Sequence, residues 1–305
     1  MSLLTHERWG SVRPATLAAL VAILSILGCG QKAPSSAEGA ETAAPDTAVQ
    51  VQPTGDAPAV RPSSDPVTSA PETPGTAETP AVSPGQAQKL TGPAALAKAA
   101  AAGKYLLVLF YRNDDDEAQA MKKIIASAAA KLKANSITIN VADAAEKDIV
   151  AKYQVDRAPM PLALVVAPTG AVTGGFPGKV TEEQLSGAFV SPGLANSLKA
   201  LQDGKLVLLC VQNASTKSND AAMRGVNAFM TDSRFTKSTE VVVVDPTDGQ
   251  ELKFLTQVQI DPKTSEAVTA LLAPPGSVVA QYKGATSKDV MIAALAAKQA
   301  GGGGG

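Results

Sequence analysis

Tyr105-Leu106-Leu107-Val108-Leu109-Phe110-Tyr111, followed by Arg112-Asn113-Asp114-Asp115-Asp116-Glu117, decides how this chain is read. An unbroken apolar run with no alternation predicts a strand buried on both faces, as in the middle of a parallel or mixed sheet. The polar break after it predicts a strand-to-helix turn. Met121, Ile124, Ile125, Ala128 and Leu132 then fall on one face of a helix over 117–132. Upstream, 94–102 reads as an Ala-rich helix with Pro93 at its start and Gly103 just past its end. Downstream come a strand over 136–141, a short helix over 147–153 and a strand over 162–167. Pro168-Thr169-Gly170 turns that strand into another over 171–176, and a helix over 181–190 follows. Thr181 with Gln184 three residues on is a capping-box pattern. The cluster Gly174, Gly175 and Gly178 suits a bulge or turn in the hairpin and is not a phosphate loop.

The order helix, strand, helix, strand, helix, hairpin, helix resembles the thioredoxin fold, over residues 91–192. The likeness is to thioredoxin-like domains that open with an Ala-rich helix and a Gly-Lys, here Gly103-Lys104, before the first core strand. The segment Lys152-Tyr153-Gln154-Val155-Asp156-Arg157-Ala158-Pro159-Met160 matches the approach to the family's cis-proline loop. The resemblance implies that Pro159 takes the cis-proline place and that Ala158, Pro159 and Met160 present backbone groups to an extended peptide. It also implies a redox cysteine pair at the start of the helix after the first core strand. This chain has Asn113, Asp114, Asp115, Asp116 and Glu117 there, and it contains no Cys-x-x-Cys. Carboxylates at a helix start are favoured by the helix dipole but cannot perform thiol–disulfide exchange. Two readings of the acidic run remain: a helix cap with a solvated face, or a site for a small cation or a basic peptide.

Residues 193–299 repeat the unit at low identity. Gly204-Lys205 matches Gly103-Lys104 at a spacing of 101 residues, and Pro274-Pro275-Gly276 matches Pro168-Thr169-Gly170 at 106. Strands are expected over 206–211, 240–244 and 267–273, with a closing helix over 287–298; Asn213 and Met223 echo Asn113 and Met121. No proline stands just before the third strand of this copy, and Pro262 lies too far upstream to match. Residues 300–305 are a Gly tail. The expected fold class is therefore α/β, two tandem thioredoxin-like domains with mixed sheets flanked by helices, after a disordered tether.

That tether is residues 29–90. From Gln31 to Leu90 the chain has ten prolines and no aromatic residue. Such a composition cannot bury enough apolar surface to offset ordering entropy, so disorder is expected. A flexible chain of about 60 residues spans roughly 40–45 Å. Ahead of it, charged residues (His6, Glu7, Arg8, Arg13) precede an apolar run over 15–27, the layout of a secretory signal and too short to span a bilayer. Ile26-Leu27-Gly28-Cys29 resembles a bacterial lipobox. The resemblance implies removal of residues 1–28 and acylation of Cys29, hence a membrane partner. With Gly30 rather than Asp next, it implies the periplasmic side of the outer membrane.

Composition closes off most chemistry. The chain has 305 residues, 18% charged, with a formal net charge of −1, which gives no footprint for nucleic acid. Its one His (His6) and one Trp (Trp9) lie in the expected leader, so the mature chain has no Ser/His/Asp or Cys/His catalysis and no His-ligated metal. Asp143 and Glu146 are a close carboxylate pair with no pocket signal. Cys210, within an apolar strand, reads as core, and no cofactor or metal site is expected. The expectation is a non-catalytic, membrane-anchored protein that binds an unknown peptide or protein in the cell envelope. The alternatives are a thiol-dependent redox protein using Cys210 or a partner's cysteines, and a structural spacer.

Overall fold

The computed structural model describes residues 90–301. The leader, Cys29 and the tether up to residue 89 lie outside the described residues, as do residues 302–305. The first domain runs α1 (Gly92–Ala101), β1 (Leu106–Tyr111), α2 (Asp116–Leu132), β2 (Asn135–Asn140), α3 (Lys147–Tyr153), β3 (Leu162–Val166), β4 (Val172–Pro177) and α4 (Glu182–Gly187). The second runs α5 (Pro192–Gln202), β5 (Leu206–Val211), α6 (Asn219–Met230), β6 (Thr239–Val244), α7 (Leu252–Gln257), β7 (Val268–Ala273), β8 (Ser277–Lys283) and α8 (Lys288–Gly301). The sheets have the same order, β2-β1-β3-β4 and β6-β5-β7-β8. In each, the first pair is parallel and the other two are antiparallel. That is the thioredoxin-like core twice over, each sheet flanked by helices.

The unbroken apolar run of β1 has the expected consequence. Leu106, Val108 and Phe110 pack with Ala95, Ala99 and Ile149 under α1 and α3. Leu107 and Leu109 point the other way, onto Met121, Ile125, Ala128 and Leu185 of α2 and α4. The second domain repeats this with an offset of 101 residues. Val207, Leu209 and Val211 face Ala200 and Phe254, while Leu208 and Cys210 face Val226, Phe229 and Met291. Cys210 thus fills the place of Leu109.

A buried carboxylate starts each domain. Glu146, only 3% exposed, accepts from the Gly92 amide at 2.8 Å. Glu251, 4% exposed, accepts from the Gly193 amide at 2.7 Å and from the Ser191 hydroxyl at 2.5 Å. Each holds the first turn of the opening helix, where amides lack intrahelical partners. Both glycines suit the space: a Cβ on Gly92 would lie 2.7 Å from Ile149 Cδ1, and one on Gly193 2.7 Å from Glu251 Oε2, so either side chain would have to shift. Glu146 therefore belongs to the scaffold and not to an acid pair; its neighbour Asp143 accepts from the Ala145 amide.

Two sequence expectations shift. The helix over 181–190 ends at Gly187, and the chain turns into α5 from its Ser191 cap. Short helices α5, α6 and α7 complete the second copy, where sequence alone marked chiefly its strands.

The domains share α5. Gln202 at its end donates to the Val172 carbonyl (2.7 Å) and accepts from the Val172 amide (2.9 Å), pairing its side-chain amide with the outer edge of β4. Ala167, Ala171 and Ala195 form a small apolar patch beside it. Tyr105 stacks on Phe189 at 4.3 Å, and its hydroxyl donates to the Val190 carbonyl and accepts from the Val190 amide.

Replacing Glu251 with Ala strands the Gly193 amide in the interior and is expected to cost about 1–3 kcal/mol in denaturant unfolding. Glu251→Gln keeps one acceptor oxygen and should cost less; equal stability of Glu251→Ala and wild type would refute the role.

Candidate functional site

The β1–α2 turn and the 158–161 loop meet. Tyr111, Arg112, Asn113 and Asp115 form one wall of a hollow of about 330 Å³, and Ala158, Pro159, Met160 and Pro161 form the other. The structure thus brings together the two segments singled out from sequence. It corrects one detail. The cis peptide is Met160–Pro161, so Pro161 and not Pro159 takes the cis-proline place. The reason is register: Pro161 abuts β3, and its carbonyl accepts from the Gly178 amide at 2.8 Å across the hairpin. Two prolines flank Met160, and sequence alone does not say which one meets the strand. Pro159 is exposed at the rim.

The acidic run is largely committed to its own helix. Asp115 caps α2, accepting from the Ala118 amide at 2.9 Å. Asp114 accepts from Gln119 Nε2 (2.7 Å) and Lys122 Nζ (2.5 Å). Its hydrogen bond raises the Lys122 pKa, and the ammonium lies 4.2 Å from the centre of the Tyr111 ring. Asp116 and Glu117 sit in the first turn, where the helix dipole favours them. Among the described residues, no three His, Cys, Asp or Glu side chains gather to hold a metal ion.

What stands open is backbone. Among the described residues no hydrogen bond reaches the Met160 amide or carbonyl. The equivalent place in the second domain is identified by geometry: the Ala267 carbonyl accepts from the Gly284 amide at 2.7 Å, as Pro161 does from Gly178. Ala267 stands where sequence comparison found no proline to match. Glu266 is thus the counterpart of Met160, and it is sealed. Thr264 Oγ1 donates to the Glu266 carbonyl (2.7 Å) and accepts from its amide (3.3 Å). Lys217 bridges on top, its amide donating to the Ser265 carbonyl and its carbonyl accepting from the Ala267 amide, each at 2.9 Å. Asn213, Thr216 and Asn219 lock the β5–α6 turn that carries Lys217 through one another. Domain one has Ala158 where domain two has Thr264, and Ala has no hydroxyl to spend.

Cys210 lies on β5, 2% exposed, with Sγ 3.8 Å from the Leu208 carbonyl. Burial pushes its thiol up to about 12. Sequence reasoning missed Glu251, Gln202 and Lys217. The 106-residue spacing that links Pro168 to Pro274 also links Pro161 to Ala267, which marks the counterpart of the proline loop but not the residues that close it.

No protein-family model matches the chain, and no curated protein does. Solved structures do. Thioredoxin O2 of Arabidopsis thaliana in its oxidised state is 14% identical over 31% of this chain and 80% of its own, with a TM-score of 0.26. The first two thioredoxin domains of Saccharomyces cerevisiae Eps1p are 12% identical over 70% of this chain and 98% of theirs, at 0.24. Zinc-bound human ERp44 is 13% identical over 66% of this chain and 58% of its own, at 0.30. These scores are low, and the fold rests on the strand order and register described above.

With the thiol protonated and buried, a disulfide reagent at pH 8 should leave native Cys210 unmodified, and denaturation should speed its reaction at least a hundredfold. A native rate near the denatured one would sink the buried-thiol picture. Stability should fall as pH rises from about 9 toward 12, because the unfolded thiol ionises first; Cys210→Ala removes that part of the slope, near 1.4 kcal/mol per pH unit.

Proposed function

We propose that this chain is a membrane-anchored, non-catalytic thioredoxin-like protein that holds an extended segment of a peptide or protein partner in the cell envelope. The observation that carries the reading is the contrast between the two loops. Met160 offers an unpaired amide and carbonyl beside a hollow, whereas Glu266 has both groups satisfied within its own domain. An extended chain can add to such a backbone as an extra strand, with side chains entering the hollow. Domain one is the binding domain, and domain two braces it through α5.

The non-catalytic reading is supported by the residues at the two places where thiol chemistry would occur. The start of α2 carries Asp115 as its cap, and Cys210 is in the core. Anchoring is supported by the sequence Ile26-Leu27-Gly28-Cys29. Several acyl chains, at about 0.8 kcal/mol per buried methylene, make a lasting anchor where one would not.

Asn113 is exposed, so Asn113→Trp fills the hollow at little cost in folding. Wild type should retain a partner from envelope extract, and the folded Trp variant should retain at least tenfold less. Equal capture by both would remove the site from domain one, and no capture by either would leave the tandem domains as a spacer. Separately, Cys29→Ser should abolish incorporation of labelled palmitate and move the protein from the membrane to the soluble fraction.

A further inference from the structure

Each four-stranded sheet has two edges, and among the described residues the four differ in what they present. The outer edge of β4 is paired at Val172 by the Gln202 amide. Strand β2 carries Asn135, Ser136, Thr138 and Asn140, and β8 carries Gln281 and Lys283. The remaining edge is β6, Thr239-Glu240-Val241-Val242-Val243-Val244. Its only charge, Glu240, is neutralised by Lys205 at 3.1 Å. Val243, 57% exposed, is the most exposed large apolar side chain among the described residues.

The register says which backbone groups are free. The Ser238 carbonyl accepts from the Leu206 amide and the Val244 carbonyl from the Gln212 amide, so even-numbered residues of β6 face β5. In a parallel ladder the intervening residues turn both amide and carbonyl away. Val241 and Val243 therefore present two donors and two acceptors outward from an apolar strand. Beside them runs a groove of about 540 Å³, walled by Asn196, Lys199 and Asp203 of α5. Lys199 pairs with Asp203 there, so the edge and its groove carry two positive and two negative charges and no net charge.

We propose that β6 is a self-association edge, and that its occupant is the β6 of a second copy of this chain. An antiparallel pairing about Val242 sets Val241 opposite Val243 of the other copy, twice by symmetry. All four outward groups on each strand pair, giving four hydrogen bonds in one continuous eight-stranded sheet. β-branched side chains then lie opposite β-branched side chains, which favours cross-strand packing. A charged ligand finds no net charge to attract it, and two like copies meet no repulsion. An unguarded apolar edge of this kind is a template for another strand.

The test uses the full chain in a large excess of non-ionic micelles, so that apolar residues 15–27 cannot drive association. Sedimentation equilibrium should show the protein mass rising toward twice the monomer's between low-micromolar and near-millimolar concentration. Over the same range, hydrogen exchange at the Val241 and Val243 amides should slow severalfold. Val243→Pro removes an outward amide and leaves the ladder to β5 intact; Val243→Lys keeps the amide and adds a guarding charge. Both should keep the wild-type unfolding midpoint and lose the concentration dependence. A monomeric mass at every concentration would overturn the proposal, as would dimers that survive both substitutions. Protection of the two amides without a rise in mass would also overturn it, because the edge would then be filled by another part of the same chain.

Discussion

A buried carboxylate at the start of each opening helix is the constraint on which the remaining structure depends. Glu146 and Glu251 stand at the entry to α3 and α7 and reach back to the amides of Gly92 and Gly193. Each interaction joins three elements: the opening helix, the strand end that the glycine touches, and the helix that carries the acid. A buried acceptor has little else to bond, so the helix start cannot drift without stranding it. Space favours glycine at both, since a Cβ would force Ile149 aside in one domain and Val244 and Glu251 in the other. In the first domain α3 leads through a short 3-10 turn, Val155–Arg157, to the 158–161 loop. The position of the open loop therefore hangs on the same interaction that starts the domain.

From that common scaffold the two copies diverge at the loop before the third strand. In domain two, Thr264 and Lys217 consume the backbone groups around Glu266, and Asn213 ties the turn that carries Lys217 to Asp245 at 2.8 Å. In domain one the matching positions hold Ala158 and the acidic turn, neither of which reaches Met160. The difference amounts to a hydroxyl and a strand bridge. It turns one loop into a closed, self-satisfied turn and leaves the other with unpaired groups beside a hollow. The second domain is tied to the first through α5 and the Gln202 pairing.

Much of the fold was legible in the sequence because burial on both faces leaves a coarse mark. The apolar runs at 105–111 and 206–211, the hairpin turns and the capping box of Thr181 all correspond to observed elements. Both walls of the hollow, the acidic turn and the 158–160 segment, were singled out from the sequence, though not their meeting. The choice between Pro159 and Pro161 was not legible, because it depends on which residue pairs with Gly178 across the hairpin. Glu251 was illegible for a similar reason: a lone acid in a polar stretch looks solvated until its distant glycine is in view.

By itself the sequence determined the order of elements, the repeat, the absence of a cysteine pair, and a polar, capped turn where one would stand. These are local matters, decided by hydrophobic period, turn chemistry and composition. Only the tertiary structure decided which backbone groups remain unpaired, which sheet edge is apolar and exposed, and that α5 belongs to both domains. Those depend on contacts between residues far apart along the chain, and a hydrogen bond across 58 residues, such as that of Glu251 to Gly193, leaves no periodic trace.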